Sequence, residues 1–374
     1  MTYSTSFNHG QSPFPAKVGI DRTIALWLAL KSALVAAFFI TVFLIAGQSE
    51  ARADETGPVC AGANLWEPLE VAAPEIVETL KAQAKADWPN GEAKFWKVER
   101  GDLAPSWLFG TAHLADPRVL DIGDAARSAF EGADTLVVEI VDIQASAQKV
   151  FADPEMRDTF FFTDGSTIEN HLTDEEVASI RARLEGGESP WFLAKRMKPW
   201  LVLGLLAPPK CEAERKAAGS AILDTELQTI AKAQGMEVVG LETAKEQFMA
   251  LSSLGFDNQL IALREIATQT ELLDDMTKTM IDMYVEGRID LIWPMLEYFA
   301  PSGDDGESQR AEFESEIVTN RNLRMAERSL PFLKHGGAFI AVGALHLPGE
   351  QGLVSLLRRE GYTVTPVMPA GSGG

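Results

Sequence analysis

Two histidines close closely similar strings: Leu108-Phe109-Gly110-Thr111-Ala112-His113 and Ile340-Ala341-Val342-Gly343-Ala344-Leu345-His346. In each, an apolar run ends in Gly-x-x-His and a helix-like stretch follows. The chain holds five histidines, so a matched pair is informative. Two imidazoles at the carboxyl ends of strands in one sheet can converge on one metal ion or one catalytic water. Glu139 interrupts the apolar run Leu136-Val137-Val138-Glu139-Ile140-Val141. An ionised carboxylate is costly to bury unpaired, so a positive group should sit beside it. Glu242, after Val238-Val239-Gly240-Leu241, is a further acid at a strand end. Arg321-Asn322, on the helix before the second histidine strand, offers a cation and an amide. Each residue also has a structural reading. A histidine can pin a loop, Glu139 can cap a helix, and Arg321 can join a salt-bridged face with Glu314, Glu316 and Arg324. The equivalent settings of His113 and His346 favour a shared site.

The elements that must position these residues follow from hydrophobic patterning. Phe95-Trp96-Lys97-Val98 and Ser106 to Gly110 read as a hairpin with Gly101-Asp102 near its turn. Asp116-Pro117-Arg118 starts a helix running to about Glu131, and Thr135 to Val141 is the next strand. Strand, helix, strand implies a right-handed parallel crossover, which brings Glu139 near His113. The plan recurs late in the chain: Phe339 to Val342 is a strand, Gly349 to Arg359 a helix and Tyr362 to Val367 the last strand. This reads as a pseudo-repeat of two units, each strand-GxxH-helix-strand. Between them, about 145–335, lies a mostly helical insertion. It includes a capping box at Thr173 and Glu176, an apolar helix from Trp191 to Leu206 interrupted by Pro199, a helix from Leu223 to Gln234 and a short strand from Met236 to Leu241. Long helices over Asn258 to Glu286 and Glu312 to Lys334 complete it. The expected class is α/β, a mainly parallel central sheet flanked by helices.

The N-terminus reads differently from the body. Residues 1–53 combine scattered basic residues, an apolar run from Ser32 to Gly47 and the small-x-small string Ala51-Arg52-Ala53. That is a signal peptide, or an N-terminal membrane anchor if it is not cleaved. Residues 54–374 form the expected single domain, facing a periplasmic or otherwise secreted compartment. The formal charge of the 374-residue chain is −21, which repels phosphate backbones and argues against nucleic-acid partners. Cys60 and Cys211 both lie in the exported part. A disulfide between them is expected there, the alternative being two unpaired thiols. The chain has no Gly-x-Ser-x-Gly, His-Glu-x-x-His, Gly-x-x-x-x-Gly-Lys or Gly-x-Gly-x-x-Gly string. Serine hydrolases, zincins, P-loop enzymes and dinucleotide enzymes with those motifs are therefore disfavoured.

These residues together resemble the TraB/GumN family, relatives of the Tiki Wnt-cleaving proteases. The resemblance runs from about Trp96 to Val367. It is carried by Gly110-Thr111-Ala112-His113 with Asp116-Pro117-Arg118, by Val138-Glu139, by Gly240-Leu241-Glu242-Thr243 with Glu246-Gln247, by Arg321-Asn322, and by Val342 to Leu353 around His346. It implies a fold related to erythromycin-esterase-like and haem-linked ChaN-like proteins. It also implies a metal-dependent hydrolase or protease whose functional residues are His113, His346, Glu139, Arg321 and Asn322. His113 and His346 would bind a divalent ion, with Glu139 as third ligand or general base. Arg321 or Asn322 would stabilise an oxyanion, and Glu242 would orient a histidine N–H. The ion is one of Mn, Co, Zn or Fe, and the substrate a peptide or small molecule. Rival readings are a non-catalytic peptide- or ligand-sequestering protein and a haem-binding module.

Overall fold

The computed structural model describes residues 60, 62–184, 190–268, 270–299 and 306–368. The expected export segment, residues 1–53, lies outside them. Among the described residues no helix is long and apolar enough to cross a membrane. Six strands form one sheet: β1 Phe95–Glu99, β2 Ser106–Thr111, β3 Thr135–Val138, β4 Glu237–Gly240, β5 Ala338–Gly343 and β6 Thr363–Pro366, in the order β4-β3-β5-β2-β1-β6. Strands β4, β3, β5 and β2 are mutually parallel. Strand β1 is antiparallel to both β2 and β6, and the β1–β2 hairpin pairs Phe95 with Phe109 and Val98 with Ser106.

Alternation of side chains across the pleat divides the core in two. Phe109, Leu136, Val138 and Phe339 face the larger layer, which holds most of the helices, including Phe130 of the helix Asp124–Glu131. Leu108, Val137, Ile340 and Val342 face a smaller layer made with Met325, Leu333, Leu353 and Leu357. Strand β5 is covered on both faces, and all six of its residues are buried, which is why it reads as an unbroken apolar run.

The expected crossover is altered in one respect. Strand β5 is inserted between β2 and β3, so the first unit steps over β5 rather than to an adjacent place. From β2 the chain moves toward one edge of the sheet, and from β5 it moves toward the other. The helices of the two connections accordingly lie on opposite faces. The two histidine units thus keep the same order, strand, GxxH, helix, strand, with connections that run in opposite directions across the sheet. The boundary between β5 and β2 is a topological switch point, where the strand ends leave a crevice.

The intervening region is helical, but β4 joins the sheet from within it. Pro199 does not interrupt one helix; it opens the second of two, Trp191–Ala194 and Pro199–Leu206, at the position where its missing N–H goes unneeded. The expected helix over Asn258 to Glu286 is helical over Phe256–Thr268 and Thr270–Val285, on either side of residue 269, which lies outside the described residues. A short helix, Lys210–Ala217, that the pattern did not suggest carries Cys211. Cys60 and Cys211 form a disulfide closing a separation of 151 residues. Such a closure restricts the unfolded chain, so replacing both cysteines with alanine should lower stability by about 2–5 kcal/mol. Denaturant titration of the oxidised protein and of that variant measures the difference; equal midpoints would contradict it.

Candidate functional site

All four parallel strands end at the same edge of the sheet, and each is followed there by a polar residue singled out above. Glu242 follows β4, Glu139 follows β3, His346 follows β5 and His113 follows β2. These residues, with Arg321 and Asn322, are each at most 7 % exposed. The close approach of the two histidine loops depends on Gly110. A Cβ there would stand 2.9 Å from Ala344 Cα and 3.1 Å from Leu347 Cδ2, both in the second motif. The Gly110 carbonyl also accepts a 2.8 Å hydrogen bond from the buried Tyr284 hydroxyl.

Glu139 has the positive neighbour its burial requires. Arg321 Nη2 donates to Glu139 Oε2 at 2.6 Å, Gln247 Nε2 donates to the same oxygen at 2.7 Å, and the Gly343 N–H donates to Oε1 at 2.6 Å. Burial alone would raise this carboxyl. Arg321, then His346, His113 and the Gly343 amide outweigh burial and hold it well below the usual carboxylate range. Arg321 also donates through Nε and Nη2 to Glu242 Oε2, at 2.9 and 2.7 Å. One guanidinium thus spans the ends of β3 and β4, as its planar fork allows.

Glu242 was expected to orient a histidine. Its carboxylate instead receives Arg321, Arg324 at 3.3 Å and Gln247 at 3.4 Å. The histidine N–H groups go elsewhere. His346 Nδ1 lies 2.6 Å from Asn322 Oδ1, while Asn322 Nδ2 donates to the Gln351 carbonyl at 2.9 Å. That second bond fixes the amide orientation, so His346 carries its proton on Nδ1 and its lone pair on Nε2. Asn322 is thereby occupied as an acceptor for His346 rather than as a donor aimed at an oxyanion. Arg321 and Asn322 are neighbours at the start of the helix Asn320–His335, directly after a π-helical turn over Glu314–Thr319. Such turns recur where a helix presents functional groups.

His113 Nδ1 lies 2.8 Å from Asp224 Oδ2, and the Thr111 hydroxyl donates to Asp224 Oδ1 at 2.8 Å. Asp224 was missed in the sequence, although a signal exists. It stands on the buried face of the helix Leu223–Ala233, alongside Leu223, Leu227 and Ala231. A charged residue on the buried stripe of an amphipathic helix calls for a partner. The two imidazoles differ in consequence. For His346, burial and then Arg321 push the pKa down to about 3, so it is neutral. For His113, burial acts downward, but Asp224 outweighs it and raises the pKa above its ordinary value.

A partly open space of about 10 Å³ is lined by His113, Glu139, Asp224, Gln228 and Gln247 with Val138, Ile140 and Ile143, and His346 is not among its lining residues. That is room for roughly one water, and none for a porphyrin in this conformation.

The donor set suits a divalent ion by type: two imidazoles, each with Nδ1 on an outer acceptor, and a carboxylate whose Oε1 is 3.7 Å from His346 Nε2. Another grouping of ligand-type atoms, Cys60, Cys211 and Glu212, lies within 4.8 Å of one another. It is not a metal centre, because both sulfurs are in the disulfide and Arg215 Nη1 stands 3.3 Å from Cys60 Sγ. Among the described residues no other three such donors gather that tightly. His113, Glu139 and His346 would therefore have to draw together to share an ion.

The chain is 25% identical over 324 residues to Metalloprotease TIKI2 of Danio rerio, covering 73% of this chain and 61% of that one. It is 24% identical over 320 residues to Metalloprotease TIKI1 of Danio rerio, covering 74% and 63%. It is 22% identical over 316 residues to a Metalloprotease TIKI homolog of Amphimedon queenslandica, covering 72% and 60%. The chain thus spans about three fifths of the length of these relatives. No solved structure matches it. The sequence model of the TraB/PrgY/gumN family matches residues 94–366, from the start of the β1–β2 hairpin to the last strand and across every residue of the site; this chain belongs to the TraB/PrgY/gumN family.

Proposed function

We propose that this chain is an extracytoplasmic metal-dependent hydrolase acting on peptide bonds, with its reactive centre at His113, Glu139 and His346. The observation that carries this reading is the neutral His346, whose Nε2 is directed to within 3.7 Å of the Glu139 carboxylate by a fixed bond to Asn322. The relatives named metalloproteases support a peptide as substrate, and the Cys60–Cys211 disulfide supports an oxidising compartment.

In this reading His113 and His346 hold the ion through Nε2, and Glu139 is the third ligand or the base. A divalent ion there would polarise the scissile carbonyl and lower the pKa of water from 15.7 to about 7. Glu139 stays ionised because Arg321 and the Gly343 N–H favour its charged form, which suits an anionic ligand and weakens it as a base. Asn322 and Asp224 keep the two imidazoles in the tautomer that presents Nε2. Arg321 acts by fixing Glu139 rather than by contacting an oxyanion, since each of its nitrogens has a protein acceptor. Gln247 is the half-buried member of the cluster and lies between Glu139 and the surface. It is the side chain that a substrate would displace.

One alternative, a protein that binds peptides without turning them over, is favoured by the spacing of His113, Glu139 and His346, whose donor atoms do not all gather within 4.8 Å of one another. Digestion of a peptide library before chelation, after chelation and after return of Zn²⁺, Mn²⁺ or Co²⁺ separates the two. The hydrolase reading expects cleavage that chelation abolishes and an ion restores. Tight binding of peptides that stay intact with every ion would reject it.

A further inference from the structure

The helix Leu223–Ala233 touches the site at three successive turns. Its residues Asp224, Gln228 and Lys232 are four apart, so they share one face. Asp224 meets His113 Nδ1 at 2.8 Å. Gln228 Oε1 accepts from the Asp142 N–H at 2.9 Å, and Gln228 Nε2 donates to the Ile140 carbonyl at 3.1 Å. Lys232 makes an ion pair with Asp142. The Leu223 N–H donates to the Leu114 carbonyl at 3.2 Å, which ties the helix start to the residue after His113.

Residues 139–142 are the turn that carries Glu139 beyond β3. Asp142 adopts a left-handed backbone there, with φ 49°. That conformation is unfavourable for a residue other than glycine and persists only where its surroundings hold it. Gln228 grips the same turn from both sides, using a donor and an acceptor that only a carboxamide offers together. Both Asp224 and Gln228 are about 95 % buried, on a helix face otherwise made of Leu223, Leu227 and Ala231. Two polar side chains on such a face are costly unless satisfied, and both are satisfied by the two loops that hold the candidate ligands.

We infer that this helix is the positioning element of the centre, with Asp224 setting the tautomer and aim of His113 and Gln228 setting the turn that aims Glu139. The inference rests on the proposed metal site for its consequence, but not for its geometry. The carboxylate at Nδ1 makes Nε2 the lone-pair nitrogen of His113. The Gln228 clamp keeps Glu139 Oε1 against the Gly343 N–H, 2.6 Å away.

The test uses the metal-free full chain labelled with ¹⁵N-His and ¹⁵N-Gly, in the wild type and in Asp224→Leu and Gln228→Leu. Asp224→Leu should change the imidazole ¹⁵N–¹H pattern of His113 and leave the Gly343 amide proton in place. Gln228→Leu should move the Gly343 amide upfield and leave the His113 pattern unchanged. Co²⁺ titration should then give affinities about 10–100-fold weaker in each variant. If a leucine variant does not fold, Asp224→Asn and Gln228→Met are read by the same resonances. An unchanged His113 pattern in the Asp224 variant, or an unchanged Gly343 amide in the Gln228 variant, overturns the assignment even where the wild type binds Co²⁺. Resonances that move as stated in a wild type and variants that take up no Co²⁺ support the positioning and reject the metal site instead.

Discussion

Arg321→Met should destabilise the protein by about 3–5 kcal/mol at pH 7, the usual consequence of leaving a buried charge without its partner. Glu242 would keep Arg324 at 3.3 Å, so Glu139 is the group left stranded. The loss should depend on pH. In the wild type the depressed Glu139 pKa contributes stability that is complete above the unfolded value of about 4.3 and is lost only as pH falls through the folded value. Without Arg321, burial becomes the dominant influence and raises the carboxyl instead. A group raised in the folded state weighs against folding as pH rises, and protonation at lower pH relieves the strain. The difference from wild type should therefore be largest near pH 7 and shrink toward pH 4. Urea titrations at both values measure it; a pH-independent loss, or none, would contradict the assigned pairing.

Glu139→Gln should have the largest effect on turnover. A positioned general base typically contributes about 10²–10⁴-fold. The variant should fold, because Arg321 retains two bonds to Glu242. It should lose about 1–3 kcal/mol, since the new amide would face the Arg321 and Gln247 donors. Initial rates of peptide cleavage, alongside circular dichroism, read this out, and a rate within tenfold of wild type would remove Glu139 from the chemistry. Metal content assigns its part: retained ion with lost rate marks a base, and lost ion marks a ligand.

Much of this arrangement was legible in the sequence because it is local. The Gly-x-x-His strings, the β1–β2 hairpin and the acid after β3 all follow from short-range pattern. The need for a cation beside Glu139 followed from burial alone, and Arg321 meets it across 182 positions. Long-range detail was hidden for a physical reason. Whether β5 enters between β2 and β3 depends on which strand edges remain available after collapse, and apolar runs of similar composition do not specify that. Glu242 and Asn322 were assigned by type, but a carboxylate and an amide can serve either an arginine or an imidazole, and only tertiary placement decides. Asp224 lies in the first turn of its helix, where any acid favours the helix dipole, so its type alone does not mark a site residue. Its position on the helix's buried stripe was the overlooked clue.

Shared metal binding by two imidazoles that are 233 positions apart in sequence is the central claim. Elemental analysis of protein reconstituted with Zn²⁺, Mn²⁺, Co²⁺ or Fe²⁺ and freed of excess ion tests it, in the wild type, His113→Ala and His346→Ala. One equivalent per chain in the wild type, falling below about a tenth in either variant, is the predicted result. Undiminished metal in both variants, or none in the wild type with any of the four ions, would contradict it.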